Sequence, residues 1–229
     1  MGDKKLIDFE ASLASTTHDM KNSLGMMLNS LDEVVNNCTA ENCPSHRHLL
    51  HMQYEANRLN NNLIQLLTLY KMDNDQLSMN ISHYSVSDLL EETLLQSRPL
   101  LEYKDIKISV DCPDDLYWFF DRNLVLGVIN NVLNNAFRYA GDRIVVRADE
   151  LNGCLVISVV DNGNGYPESM LGSSVQTNRA VSFQSGNTGL GLFFASMVAM
   201  MHKNRDREGY ISLSNNEENG GGCFSIILP

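Results

Sequence analysis

Three sets of residues in this sequence have types and spacings suited to chemistry on a phosphate. The first is Thr17-His18-Asp19-Met20-Lys21-Asn22. An imidazole beside a carboxylate can have one ring nitrogen hydrogen-bonded and its tautomer fixed, leaving the other nitrogen as a nucleophile near neutral pH. Asn22 follows one helical turn later, so its amide shares a face with His18 and can orient a water or an acceptor there. His18 is thus a candidate phosphate acceptor. The second set is Asn131, Asn135, Arg138 and Tyr139, which share one side of a helix. Amide oxygens suit Mg²⁺, for which Asn135 is the candidate ligand, and Arg138 suits phosphate. The third set is rich in glycine. Asp161-Asn162-Gly163-Asn164-Gly165 follows an apolar stretch, where a carboxylate at a strand end can accept the amino hydrogen of adenine. Gly186-Asn187-Thr188-Gly189-Leu190-Gly191 precedes a helix, whose free N–H groups make a phosphate cradle. Each set also has an ordinary reading: a solvated helical histidine, an Asn pair on a wet helix face, a turn.

The elements that must position these residues follow from periodicity. Leu6, Phe9, Leu13, Met20, Leu24, Met27, Leu31 and Val34 recur at helical steps, with His18 off that seam and pointing outward. A turn from about Val35 to Ser45, with Pro44, ends this helix. Leu49, Met52, Ala56, Leu59, Leu63, Leu66 and Tyr70 then alternate steps of three and four, an a/d seam. Two antiparallel helices of this length cannot hide both stripes from water alone, so the pattern predicts a homodimeric four-helix bundle; the alternative is packing against the rest of the chain. Residues 1–75 form this all-α helical hairpin, Lys71 to Ser82 a polar connector, and residues 82–229 a second unit.

In the second unit, strands are expected at Tyr84–Val86, Ile106–Val110, Ile144–Ala148, Leu155–Val160, Tyr210–Leu213 and Phe224–Leu228. Helices are expected from Leu89 to about Tyr103 behind a Ser87 or Asp88 cap, from Asp121 to Tyr139, and from Leu190 to His202. The fold is α+β, with helices layered on one mixed sheet.

The chain has 229 residues, of which 43% are hydrophobic, enough for a sizeable core. A formal charge of -11 opposes binding to nucleic acid or to anionic membrane surfaces. No apolar run reaches the roughly 18 residues of a membrane span, and Met1-Gly2-Asp3-Lys4-Lys5 lacks a secretory h-region, so a cytoplasmic location is expected. Five cysteines fit reduced thiols. Cys38 and Cys43 lie near His46, His48 and His51 in a spacing that matches no strong zinc pattern and reads as an ordinary loop. Lys203 to Glu208 reads as a solvated turn.

Together the motifs resemble a known family. His18, Asp19 and Asn22 are similar to the H-box of sensor histidine kinases. The other sets resemble the N, G1 and G2 boxes of the ATPases and kinases that include gyrase, Hsp90 chaperones, histidine kinases and MutL. The resemblance spans nearly the whole chain. It implies a dimerisation and histidine phosphotransfer hairpin followed by a catalytic ATP-binding domain using ATP and Mg²⁺. It further implies binding of nucleotide by Asn131, Asn135, Arg138, Tyr139, Asp161, Gly163, Gly165, Thr188, Gly189, Leu190 and Gly191, under a lid at Glu168 to Ser185, in which Arg179 reads as a solvated loop arginine, with reach to the phosphates as the alternative. ATP-hydrolysing relatives carry a water-activating Glu where Asn131 stands, which favours transfer to His18 over hydrolysis. A response-regulator receiver domain is the implied recipient of the phosphate, and Asn22 the residue implied for its dephosphorylation. Only 17 residues precede His18, so input is expected from an upstream sensory protein, from a region not seen here or from ATP itself. The alternatives are a histidine phosphotransferase, or an ATP-binding scaffold or phosphatase without autokinase activity. Two departures from the family stand out: a short lid without a Phe-rich box, and Gly186-Asn187 in place of two small residues.

Overall fold

A computed structural model describes residues 3–38, 43–104, 106–171, 189–216 and 220–229, with side chains from Ser15 onward except His18 and residues 98–104. The chain divides into two compact units, Met1–Leu77 and Ser78–Pro229.

The first unit is a pair of packed helices, α1 (Asp3–Asn37) and α2 (His46–Asp73). They run antiparallel, since the chain turns back at Cys38–Cys43 and Gln53 Nε2 donates to Asp32 Oδ1 at 2.5 Å. The a and d positions of α2 part company. Ala56 is buried and Leu49, Leu63 and Tyr70 are half-buried, whereas Met52, Leu59 and Leu66 are exposed. On α1, Leu28 is buried while Met20, Met27 and Val34 are exposed. The expectation of reduced thiols holds for Cys112, Cys154 and Cys223 and is corrected for Cys38 and Cys43, which form a disulfide. Reversing the chain between antiparallel helices brings their Cα atoms to 5.4 Å, inside the bridging range. His46, read as part of a loop, instead opens α2, its N–H donating to Cys43 O at 3.0 Å.

In the second unit, β1 (Ile81–Ser85) pairs antiparallel with β3 (Tyr117–Asp121), and α3 (Val86–Lys104) and β2 (Lys107–Asp111) lie between them in sequence. Then come α4 (Arg122–Tyr139), β4 (Arg143–Leu151), β5 (Cys154–Asp161), α5 (Leu190–Met201), the short β6 (Lys203–Asn204) and β7 (Arg207–Glu208), β8 (Tyr210–Asn215) and β9 (Gly222–Leu228). The main sheet has the order β2-β4-β5-β9-β8, parallel between β2 and β4 and antiparallel elsewhere. Side chains alternate across it with a period of two. Ile144, Val146, Leu155, Ile157, Val159, Ile211, Phe224 and Ile226 are buried on one face beneath the helices, while Val145, Ser158 and Ser225 on the other are only half-buried. This is the layered α+β arrangement that the pattern predicts.

Local details differ in three places. Strand β3, Tyr117-Trp118-Phe119-Phe120-Asp121, has no counterpart among the expected strands; its alternation is masked by aromatics on both faces, Phe120 buried and Phe119 exposed. Helix α3 starts earlier, because Ser85 rather than Ser87 or Asp88 supplies the cap, its Oγ accepting from Asp88 N at 3.2 Å. The Lys203–Glu208 turn is a small hairpin, with Lys203 paired to Glu208 at 2.6 Å and Arg205 in the left-handed region.

Candidate nucleotide site

Helix α4 owes its position to its cap and its stripe. Asp121 Oδ1 accepts from Leu124 N at 3.1 Å, and Leu124, Val125, Val128, Ile129, Val132, Leu133, Ala136 and Phe137 bury one side. Asn131 sits at the edge of this stripe and is buried, whereas Asn135 and Arg138 are exposed. The Arg138 guanidinium lies 5.5 Å from the Tyr139 ring centroid.

Asn131 meets the glycine-rich start of α5. A Cβ at Gly191 would overlap the Asn131 side-chain amide, so a side chain there would require that amide to shift. Gly189, at φ 59°, is the N-cap of α5, and among the described residues no side chain caps the helix. Its first-turn N–H groups are therefore of the kind that hold anions. Asn131 Nδ2 is buried and, among the described residues, has no hydrogen-bond partner, a donor suited to a ligand oxygen. Two motifs some sixty residues apart are thus in contact.

The third motif lies at the end of β5. Asp161 Oδ1 accepts from Gly163 N at 2.7 Å and from Gly222 N at 3.3 Å. Gly163 in turn lies against the Tyr139 carbonyl so closely that a Cβ would collide with it. The structure therefore joins Asp161 and Gly163 to the end of α4. Gly165, at φ 72°, packs beside Asn215, and the Asn215 amide accepts from Tyr166 N at 2.7 Å and donates to Tyr166 O at 2.9 Å. Burial, then the charge of Asp161, push the Tyr166 phenol well above its ordinary value, so it stays a neutral donor.

His18, Asp19 and Asn22 belong to the first unit, on α1, where Asp19 and Asn22 are exposed. The His18 side chain, Thr188, Arg179, the Gly186-Asn187 pair and the lid beyond Leu171 lie outside the described residues. Within the described part of the lid, Glu168–Met170 forms a 3-10 turn.

Sequence reasoning passed over several supporting residues. Asn162 Oδ1 accepts from Asp142 N at 3.1 Å and Arg143 N at 3.0 Å, fixing the turn between α4 and β4. Gly222 helps to hold the Asp161 carboxylate, and Asn215 holds the loop after it. An Asn at the end of β8, shortly before a glycine cluster, was the available signal, but the loop it holds at Tyr166 lies about fifty residues away.

The sequence pattern described as "Histidine kinase-, DNA gyrase B-, and HSP90-like ATPase" matches residues 120–229. "Sensor protein SrrB" of Staphylococcus aureus is 23% identical over 223 residues, which are 95% of this chain and 37% of that protein. The chain is similar to sensor histidine kinases, with the ATPase-like pattern lying over residues 120–229. It spans 37% of the length of these curated relatives. Three solved structures share its fold. The histidine kinase AdeS of Acinetobacter baumannii gives a TM-score of 0.59 at 17% identity over 92% of this chain and 96% of that one. Full-length ShkA in complex with AMPPNP gives 0.64 at 17% over 96% of this chain and 45% of that one. The catalytic domain of the histidine kinase ThkA gives 0.54 at 21% over 66% of this chain and 96% of that one. The second unit is a GHKL-type ATP-binding fold.

Proposed function

We propose that this chain is a histidine kinase that transfers the γ-phosphate of ATP to His18 and then to an aspartate of a response-regulator receiver domain. The carrying observation is the contact of Asn131 with Gly191, which closes the N-box helix onto the glycine-rich helix start. An amide at Asn131 cannot act as a base toward water, so the site favours transfer to a protein nucleophile. Asp161, held by two backbone N–H groups, would accept from the adenine amino group through its remaining oxygen. The start of α5 at Gly189, Leu190 and Gly191, with Thr188 before it, would hold phosphate, and Arg138 and Tyr139 would flank it. AMPPNP in the ShkA complex supports ATP as the ligand.

Magnesium fits this donor set. It needs only one or two protein oxygens when phosphates and waters complete its shell, and the exposed Asn135 amide on α4 offers one. When bound, the ion would offset the charge building on the phosphates. In the transfer, a ring nitrogen of His18 attacks the γ-phosphorus, the bond to the bridging oxygen breaks and ADP leaves. Asp19 orients the ring and takes its proton, and Asn22 would position water for the reverse duty of dephosphorylating the receiver.

On this reading residues 1–75 are the dimerisation and phosphotransfer hairpin and residues 82–229 the catalytic domain. The exposed residues Met20, Met27 and Val34 on α1, and Met52, Leu59 and Leu66 on α2, each recur every seven residues. Such stripes fit a second copy in a four-helix bundle. Because ATP and receiver domains are cytoplasmic, the reading places the chain there, under the control of an upstream sensory protein.

The test is incubation with γ-labelled ATP and Mg²⁺. Acid-labile, base-stable label is expected on the wild type and absent from His18→Ala. ATP binding without label would move the reading to a phosphatase or scaffold; neither label nor binding would indicate a histidine phosphotransferase.

A further inference from the structure

Three segments meet at Asp121, at the end of the second unit's core away from Gly191. The carboxylate uses both oxygens: Oδ1 caps α4 through Leu124 N, and Oδ2 accepts from Asn80 N at 2.8 Å. The Asp121 N–H donates to His202 Nε2 at 2.9 Å. His202, just past the end of α5, is only 2% exposed. Because Nε2 accepts from a backbone donor, Nδ1 must carry the proton, and it donates to Val198 O at 2.7 Å. Both ring nitrogens are committed.

The spacing along the two helices gives this bond its leverage. Ten residues separate Asp121 from Asn131, and eleven separate Gly191 from His202. At 1.5 Å per residue these are about 15 Å and about 16 Å. Thus α4 and α5 are two rods of matching length, pinned at one end by His202 and Asp121 and touching at the other through Gly191 and Asn131. Between the pins, a Cβ at Gly127 would already lie 3.5 Å from the Phe194 ring. At the far contact a Cβ at Gly191 would displace the Asn131 amide, so a slide of α5 by a fraction of a turn would change how Gly191 seats on Asn131.

We propose that His202 is a positioning residue of the nucleotide site, holding α5 in the register on α4 that seats Gly191 on Asn131. It rests on the nucleotide reading above. His202 lies some 16 Å along α5 from the glycines and acts through the helix. The same Asp121 carboxylate holds the backbone at Asn80, so the chain entering this unit is anchored at the same point.

The experiment compares the full chain with His202→Leu, which fills the space without an acceptor, and His202→Gln, whose side-chain carbonyl can still accept from Asp121 N–H. ATP·Mg²⁺ affinity is measured by calorimetry, beside circular dichroism and melting. The expected result is at least tenfold weaker binding for a folded Leu variant and recovery of most of that loss by Gln. Should the Leu variant not fold, His202→Asn replaces it. Asn reaches the Val198 side alone, so the expected order of affinity is His, then Gln, then Asn. Equal affinity among folded variants, or Gln binding no better than Leu or Asn, overturns the proposal. Wild-type protein that binds no ATP overturns the nucleotide reading itself, and the positioning role with it.

Discussion

At the scale of the residue, Asp161 shows how a side chain is prepared before any ligand arrives. Its Oδ1 is held by two backbone donors, which fixes where Oδ2 points. Asp161→Asn can keep the first oxygen on Gly163 and Gly222 while placing an NH₂ group where Oδ2 stood. Donor would then face donor at the adenine amino group. The expected cost is a loss of about 10- to 100-fold in ATP affinity, or about 1.4–2.7 kcal/mol, read by calorimetry, with little change in melting temperature. His202 carries a different prediction. Burial holds its imidazole below the ordinary value of 6.5, against the opposing pull of the Val198 carbonyl and the Asp121 carboxylate. The native state therefore prefers the neutral ring, and below that value the unfolded chain binds more protons. Its contribution to stability is complete above about pH 6.5 and is lost as the pH falls from there through the lowered native value. Melting temperature should drop more steeply between pH 7 and pH 5 for wild type than for His202→Gln; parallel curves would remove His202 from the acid response.

At the scale of the element, the two helices of the first unit turn one half of their apolar pattern inward and the other half out. An exposed leucine, methionine or valine that becomes buried against a partner contributes about 1.5–3 kcal/mol, so six of them at heptad steps make a substantial interface. Leu59→Glu and Met27→Glu are each expected to convert a dimer to a monomer, measured by light scattering after gel filtration. A wild-type monomer, or variants that stay dimeric, would sink the bundle. The same seam shows what the sequence could disclose. Steps of three and four identified α1 and α2 without revealing which half of the stripe faces which neighbour, since a heptad pattern is silent about partners. Apolar alternation located β4, β5, β8 and β9, and Asp121 marked the start of α4. Strand β3 escaped because aromatic residues occupy both of its faces, and the cap of α3 was misplaced because Ser85, Ser87 and Asp88 are all competent caps within four residues. In the candidate site, glycine spacing signalled close approach at Gly163 and Gly191, but not the groups approached. Tyr139 O, Asn131 and Asn215 are distant in sequence, and local pattern holds no information about such pairs.

At the scale of the whole molecule, the decisive property is that the contacts fall into two units meeting at Leu77–Ser78. The second unit has its own sheet, its own core beneath α3, α4 and α5, and both halves of the Asn131–Gly191 contact. Nucleotide binding therefore belongs to it alone on the proposed reading, while the acceptor His18 belongs to the other. Residues 78–229 produced separately should melt cooperatively, bind ATP·Mg²⁺ within about threefold of the full chain's affinity, since 1.4 kcal/mol would already be tenfold, and take no label. Adding residues 1–77 should restore label, carried on the shorter piece and absent when it bears His18→Ala. Label on the isolated second unit would point to an acceptor other than His18. A large loss of affinity on separation would mean that the helical hairpin contributes directly to the nucleotide site, and the division of labour between binding unit and acceptor unit would have to be redrawn.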